Sequence, residues 1–211
     1  DLRRIMVARD VPAVVLTSMH NIAYLTGFLY CSFGRPYACV VTQDAATLVS
    51  ANIDGGQPWR RSTGDNVIYT DWRRDNYWTA VATLTGDRHR LGIEADHLTL
   101  AARNALAEAC TATELVDVAG DLMAARMVKS GEEIALIRAG ARIADLGGAA
   151  IRDAIHVGTR ESHFAIAGRE AMENTNADAF PMSELRHTCE RLLSVDNTDG
   201  AHNPFTTRRL S

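Results

Sequence analysis

The sequence predicts an α/β domain over residues 1–127, followed by a mainly helical segment over residues 128–211. In the first part, short apolar, β-branched runs alternate with Ala- and Leu-rich stretches, as strands and helices do in one α/β domain. From Ser130 onward strand signals are scarce, and apolar residues recur at steps of three and four, which is typical of amphipathic helices. Ser130 and Glu133 have the spacing of a capping box, which marks the start of the first of these helices.

The strands and the first helix of the N-terminal part follow from local patterns. Residues 1–10 are typical of the end of a helix, because Leu2, Ile5 and Met6 fall on one face. Short apolar runs predict strands at residues 11–17, 37–42, 47–51, 66–72, 90–94 and 114–118. The second and third of these flank a polar turn, which predicts a hairpin.

Two further helices are predicted before the boundary between the two parts. Residues 98–109 are rich in Ala and Leu, and either Asp96 or Thr99 can cap this helix. The last strand is followed by a helix that ends at Met127. We therefore expect helices and strands to share one core in this domain.

A long helix and a shorter one are predicted after Ser130. The long helix carries one apolar stripe, formed by Ile134, Ile137, Ala141, Ala144, Gly148 and Ile151, and ends near Gly158. Gly147 and Gly148 lie inside it, where two glycines cost about 1–2 kcal/mol relative to alanine. Close packing of the helix on another element explains such a pair. A second helix is expected from residue 161 to about residue 173.

Composition and charge exclude several classes of function. The chain has 211 residues, of which 46% are hydrophobic, and its net charge is −4, which argues against disorder and against binding nucleic acid through phosphates. No apolar run reaches the roughly 18 residues of a membrane span. The four cysteines form no CxxC motif and no HExxH occurs, so we expect neither a disulfide scaffold nor a local metal site, but free thiols in the cytoplasm. The chain begins without Met and ends without a closing element, so further sequence is expected at both ends.

Arg35 is a candidate for binding a carboxylate. It lies between Gly34 and Pro36 in the aromatic segment FLYCSFGRPY, and a glycine and a proline on either side indicate a turn. An arginine on a stiff turn can hold a carboxylate through two parallel hydrogen bonds. The alternative is a surface arginine that lies over a Tyr or Phe ring.

Two other segments carry candidate residues. Residues 51–61, ANIDGGQPWRR, contain Trp59 beside two arginines, which favours a structural or subunit-contact loop. His202 lies in the polar loop NTDGAHNP with Asp199 close by in sequence. A histidine suits proton transfer near neutral pH, because its ordinary pKa is about 6.5. The alternative is that His202, like most histidines, has no catalytic part.

Seven segments together resemble one family, the creatinases or creatine amidinohydrolases, over residues 11–158 and again from Asn197. They read FLYCSFGRPYA, SANIDGGQPWRR, YTDWRRDNYW, GIEADHL, ELVDVA, KSGEEIALIRAGARIADLGGAA and NTDGAHNP. The stretch from KSGEEI onward is also similar to the wider superfamily of aminopeptidase P and prolidase. The first two segments point to creatinase within it.

This resemblance implies a fold and an activity. The fold is an α/β N-terminal domain, residues 1–127, followed by the first part of an α+β "pita-bread" catalytic domain, residues 128–211. The activity is hydrolysis of creatine to sarcosine and urea without a metal or other cofactor, in a homodimer whose active site is shared between subunits. His202 matches the histidine that moves the proton, whereas Phe33 and Arg35 match residues that hold the substrate, with Arg35 on its carboxylate.

The sequence departs from the family pattern in residues 174–195, which match poorly. In the family, the acidic residues that hold the guanidinium lie further along the chain than Ser211. Two alternatives therefore stay open. One is a metal-dependent aminopeptidase or prolidase, with an Asp/Asp/His/Glu/Glu ligand set after Ser211, and the other is a non-enzymatic binding module of the same fold.

Overall fold

A computed structural model describes residues 1–29, 34–54, 62–70 and 76–179, together with the backbone of residues 207–210. The chain forms two compact units. The first contains residues 1–127 and the strand at 207–210, and the second begins at Val128.

The first unit is built on a seven-stranded sheet. Its strands are β1 (Ala13–Leu16), β2 (Ala38–Thr42), β3 (Ala46–Ala51), β4 (Asp65–Tyr69), β5 (Arg90–Ile93), β6 (Glu114–Asp117) and β7 (Thr207–Leu210). They lie in the order β6-β5-β1-β2-β3-β4-β7. The hairpin predicted for β2 and β3 is confirmed, since they pair antiparallel, as do β1 and β2, whereas the other neighbours are parallel.

Within the described residues of this unit, five α-helices accompany the sheet. They are α1 (Leu2–Ala8), α2 (Met19–Thr26), α3 (Asn76–Thr85), α4 (Leu100–Ala109) and α5 (Ala119–Met127). The face predicted for α1 is confirmed, because Leu2 and Met6 are buried and Ile5 packs against the core. Thr99, not Asp96, caps α4: its Oγ1 accepts a hydrogen bond from the Ala102 amide at 3.2 Å.

The sequence predicted neither α2 nor α3. The caps of α2 explain why it forms despite a β-branched and polar sequence. Ser18 accepts a hydrogen bond from the Asn21 amide at its start, and Gly27, with φ of +78°, ends it in the left-handed conformation that glycine adopts without strain. Strand β7 was also not predicted; it pairs with β4, whose outer edge offers unpaired backbone groups.

The second unit contains a helical hairpin of α6 (Gly131–Ala154) and α7 (Glu161–Ala179). The predicted capping box is confirmed: the Glu133 amide donates to Ser130 Oγ at 3.2 Å, and the Ser130 amide donates to the Glu133 carboxylate at 2.7 Å. Helix α6 ends four residues before Gly158, and α7 extends six residues beyond the predicted end.

The predicted close packing holds for one glycine of the pair. A Cβ added to Gly147 would lie 2.5 Å from Cγ of Met172 on α7, and one added to Gly168 would lie 2.5 Å from Cγ1 of Ile151 on α6. A Cβ on Gly148 would meet no atom within 4 Å. Gly147 and Gly168 therefore let the two backbones approach, whereas Gly148 does not serve this contact.

Candidate functional site

Of the three predicted site residues, the structure describes Arg35. Phe33 and His202 lie outside the described residues, as do Asp199 and the loop residues 55–61 with Trp59. Arg35 is exposed and lies in the segment that leads into β2. Gly34 precedes it with φ of +77°, and the backbone bends there, whereas residues 35–37, where the turn was predicted, form no turn.

Two buried tyrosines hold the backbone that follows Arg35. The Tyr69 hydroxyl, at the end of β4, donates to the Pro36 carbonyl at 3.0 Å. The Tyr77 hydroxyl, in the first turn of α3, donates to the Tyr37 carbonyl at 3.0 Å. Because both rings are only 2–3% exposed, these bonds are sheltered from competing water. The carbonyl groups of Pro36 and Tyr37 are thus fixed from two different elements.

Aromatic packing supports the same segment. The rings of Tyr69 and Tyr77 meet edge to face with centroids 5.5 Å apart, and Trp78 packs on Tyr77 at 4.7 Å. Phe28 packs on Tyr37 at 6.3 Å, and the Tyr37 hydroxyl donates to Asp54. Such edge contacts between rings stabilise the folded state beyond the area they bury. The backbone segment that carries Arg35 is therefore held rigidly.

A cavity of about 470 Å³ opens beside Arg35, within the first unit. It lies where the parallel strands β1 and β5 end, an edge at which open α/β sheets often bind ligands. Its lining residues are Thr17, Met19, His20, Arg35, Pro36, Tyr37, Tyr77, Trp78, His97, Leu98, Thr99 and Ala102. This set combines an apolar, aromatic wall with one guanidinium and two imidazoles.

The buried carboxylate of Glu94 connects two loops at this edge of the sheet. Glu94 directly follows β5 and is 1% exposed. It accepts hydrogen bonds from the amides of Thr17 and Ser18 at 2.6 and 2.9 Å, and from the side chains of Ser18 and Asn21 at 2.5 and 2.6 Å. Arg126 donates in turn to the Asn21 side-chain oxygen at 3.0 Å. Glu94 thereby binds the amides of the two residues that precede α2, and it joins the loops after β1 and β5.

Two histidines line this cavity and also a second one. His20 and His97 belong to both linings, and the second cavity, of about 320 Å³, is lined further by Glu94, Asp96 and Arg126. The His97 ring is held in place because its Nδ1 lies 3.0 Å from the Thr17 hydroxyl. Both imidazoles are therefore shared by the cavity that contains Arg35 and a cavity that also contains Glu94, Asp96 and Arg126.

The described cysteines are inert, as predicted. Cys39 and Cys110 are both buried and free of disulfides. Burial raises the pKa of the Cys39 thiol to about 12, with a smaller contribution from the charge of Glu94, and burial also raises the pKa of Cys110. Since the thiolate is the nucleophile, neither group is poised for covalent chemistry near neutral pH.

Sequence reasoning missed Tyr69, Tyr77 and Glu94. The sequence contains only weak signals for these residues. Both tyrosines lie in the aromatic segment YTDWRRDNYW, and Glu94 is the first ionisable residue after a buried strand. Their importance depends on partners 33, 40 and 77 positions away, which periodicity does not reveal.

The described residues contain neither a cluster of metal ligands nor a membrane-spanning helix. Over residues 1–29, 34–54, 62–70 and 76–179, no three His, Cys, Asp or Glu side chains lie together as metal ligands would. In the same ranges, none of the helices combines the length and the apolar character needed to cross a membrane.

Comparisons with known proteins extend over most of the chain. The profile of the Creatinase/Prolidase N-terminal domain matches residues 1–128. A curated protein named creatinase, from Bacillus sp. (strain B-0618), is 51% identical over 213 residues, which is 99% of this chain and 52% of that protein. The chain thus spans about half the length of that curated relative.

Solved structures show the same fold at lower identity. A prolidase from Pyrococcus furiosus matches 82% of this chain and 52% of its own at 21% identity, with a TM-score of 0.67. The Creatinase/Prolidase N-terminal domain of an X-Pro dipeptidase from Streptococcus pyogenes matches 58% of this chain and 94% of its own at 17% identity, with a TM-score of 0.53. The predicted fold class, an α/β N-terminal domain followed by part of a pita-bread domain, is confirmed.

Proposed function

The chain belongs to the creatinase/prolidase family through its N-terminal domain, and from that premise we propose that the complete protein hydrolyses creatine to sarcosine and urea. The observation that carries this proposal is the 51% identity to a creatinase over nearly the whole chain. We propose in addition that residues 1–127 and 128–211 are its N-terminal domain and the first part of its catalytic domain. The proposal includes a homodimer in which the N-terminal domain of one subunit completes the active site of the other.

The surroundings of Arg35 support its part in substrate binding. Creatine carries a carboxylate at one end, and a guanidinium group with two parallel N–H donors matches a carboxylate well. The hydroxyls of Tyr69 and Tyr77 hold the backbone after Arg35, so little freedom is lost when a ligand binds. Arg35 in this role orients the substrate, and Phe33, two residues before it, provides an apolar contact.

His202 has the proton-transfer role in this proposal. The guanidinium carbon of creatine is a poor electrophile because its charge is delocalised, so the attacking water needs a base. Neutral His202 takes a proton from that water as the new C–O bond forms. It then gives the proton to the methylated nitrogen as the C–N bond breaks, which releases sarcosine and leaves urea. The reaction needs no metal in this scheme.

Urea release from creatine by the full-length protein tests the proposal. We expect His202→Ala to lower kcat by about 10²–10⁴-fold, which is the usual contribution of general acid–base catalysis. His163→Ala, an exposed imidazole on α7, is the matched control and should leave the rate unchanged. Full activity of His202→Ala, or no urea above background from the unsubstituted protein, refutes the proposal. Loss of activity on treatment with a chelator points instead to the metal-dependent hydrolases of the same superfamily.

The cellular location is part of the same proposal. Cys39 and Cys110 are buried thiols, and such thiols persist in the reducing cytoplasm. Fractionation of cells that express the protein tests this point, and analytical ultracentrifugation of the full-length protein tests the dimer.

A further inference from the structure

We propose that the second cavity, at the carboxyl ends of β1, β5 and β6, binds a small aliphatic amino acid in its zwitterionic form. These three strands are parallel neighbours, and the chain that follows each of them contributes to the lining of this cavity. Open α/β sheets bind ligands in the crevice outside the carboxyl ends of such strands. The cavity, of about 320 Å³, lies within the range of roughly 300–1,000 Å³ that is usual for small-molecule sites. The inference goes beyond the proposed hydrolysis, since it assigns no part to Phe33, Arg35 or His202.

Arg126 supplies the positive charge of this cavity, and its side chain is held in place. Its Nη1 donates to the Asn21 side-chain oxygen at 3.0 Å, and the guanidinium carbon lies 5.7 Å from the centroid of the Tyr24 ring. Asn21 is fixed in turn, because its side-chain amide donates to Glu94 at 2.6 Å. Since a guanidinium has five N–H donors, the bond to Asn21 leaves others for the carboxylate of a ligand.

Asp96 supplies the negative charge that a ligand can reach. Its side chain is exposed, and its carboxylate takes part in none of the hydrogen bonds and ion pairs between residues that the structure describes. Glu94, the other acid of the lining, is 1% exposed and already accepts hydrogen bonds from two backbone amides and two side chains. Asp96 is therefore the carboxylate that can pair with the ammonium group of a ligand.

Imidazoles and an apolar side chain add to the lining. His20 and His97 each carry one ring N–H donor and one ring acceptor when neutral, and the His97 ring is oriented by the Thr17 hydroxyl, 3.0 Å from its Nδ1. Met123, which is 55% exposed on α5, offers a flexible apolar surface. A cavity with one accessible charge of each sign and an apolar contact matches a zwitterion with a short aliphatic side chain. A ligand with a single charge would leave one of these two charges without a charged partner.

Isothermal titration calorimetry of the full-length protein with L-valine tests the proposal. Valine carries both charges, whereas isovalerate lacks the ammonium group and isobutylamine lacks the carboxylate. We expect valine to bind at one site per chain with a dissociation constant of about 1 mM, and each single-charge analogue to bind at least about tenfold more weakly. No heat of binding from valine up to about 10 mM, or an equal affinity for either analogue, overturns the proposal.

Substitutions then locate the site. Asp96→Asn changes an exposed side chain, so the protein should fold as before and bind valine about tenfold more weakly, as should Arg126→Gln. Asp87→Asn is the matched control, because Asp87 is also exposed but precedes the amino end of β5, and it should leave the affinity unchanged. Unchanged valine affinity in Asp96→Asn overturns the proposal even if Arg126→Gln fails to fold. Loss of valine binding in Arg35→Gln but not in Asp96→Asn places valine in the proposed substrate site and also overturns it. Because urea release tests the hydrolysis and valine binding tests this site, either proposal can fail while the other stands.

Discussion

Replacing Tyr77 by Phe removes the hydroxyl that holds the backbone after Arg35 and leaves the ring in place. The hydroxyl donates to the Tyr37 carbonyl at 3.0 Å, and the side chain is 3% exposed, so water does not replace the lost bond readily. Loss of a buried hydrogen bond that leaves its acceptor without that donor costs about 1–3 kcal/mol. Since the ring contacts with Tyr69 and Trp78 survive, we expect the lower half of that range, about 1–2 kcal/mol.

Urea unfolding followed by circular dichroism measures this loss. With a denaturant slope of about 2 kcal/mol per molar, the midpoint should fall by roughly 0.5–1 M. Tyr24→Phe is the matched control, because Tyr24 is 45% exposed on α2 and surface substitutions usually change stability by less than about 0.5 kcal/mol. If Tyr77→Phe unfolds at the parent midpoint, or if the control falls as far, the hydroxyl does not hold this segment.

The same substitution should also affect the proposed reaction. A looser backbone after Arg35 weakens the orientation of the substrate carboxylate, so kcat/KM for creatine should fall by about tenfold. The loss should appear mainly as a higher KM, because His202 is untouched. A lower kcat with an unchanged KM contradicts this account of Arg35.

Three further predictions test the packing and the buried charges. Gly147→Ala should lower the free energy of unfolding by about 1–3 kcal/mol, because its Cβ would meet Met172. Gly148→Ala should raise the free energy of unfolding by about 0.5–1 kcal/mol, because its Cβ would meet no atom. Equal effects of the two substitutions in thermal unfolding would rule out the close approach at Gly147. Glu94→Gln should cost about 2–3 kcal/mol in urea unfolding, because an amide NH₂ then faces backbone donors, and an unshifted midpoint contradicts this. The Cys39 thiol should resist iodoacetamide at pH 8 until the protein unfolds. Because its pKa is raised from 9.0 to about 12 on folding, its contribution to stability is complete below pH 9 and is lost from pH 9 to 12 by up to about 1.4 kcal/mol per pH unit. Cys39→Ala should remove that part of the slope, and an identical pH profile in the parent and this variant would show that Cys39 does not titrate as described.

Several elements could be predicted because their cause is local. The six N-terminal strands are short, β-branched and bounded by turn residues, so their position along the chain is set by residues within the run itself. The start of α6 is likewise local, since Ser130 and Glu133 bond to each other's backbone across three positions. Helices α2 and α3 escaped prediction because their sequences mix aromatic, β-branched and polar residues, and burial against the sheet outweighs that weak propensity.

Some features of the candidate site could likewise be predicted from local sequence, and others could not. The glycine before Arg35 was enough to predict a change of chain direction, which occurs at Gly34, and the collinear segments were enough to predict the family that the comparisons confirm. The tyrosines that hold the backbone after Arg35 could not be predicted, because each reaches it from another strand or helix. His202 and Phe33 remain predictions from the sequence.

The sequence by itself determined the six N-terminal strands, the start of α6 and the membership of the family, since each can be recognised from residues close together along the chain. Only the tertiary structure decided which residues meet at the end of β1 and β5. There Glu94 accepts a hydrogen bond from the amide of Thr17, which lies 77 positions earlier in the chain. At the same edge, one cavity is lined by His20, Arg35 and His97. The physical reason is that parallel pairing of β1 with β5 brings their carboxyl ends together whatever the intervening sequence, and side chains on separate loops then share one site.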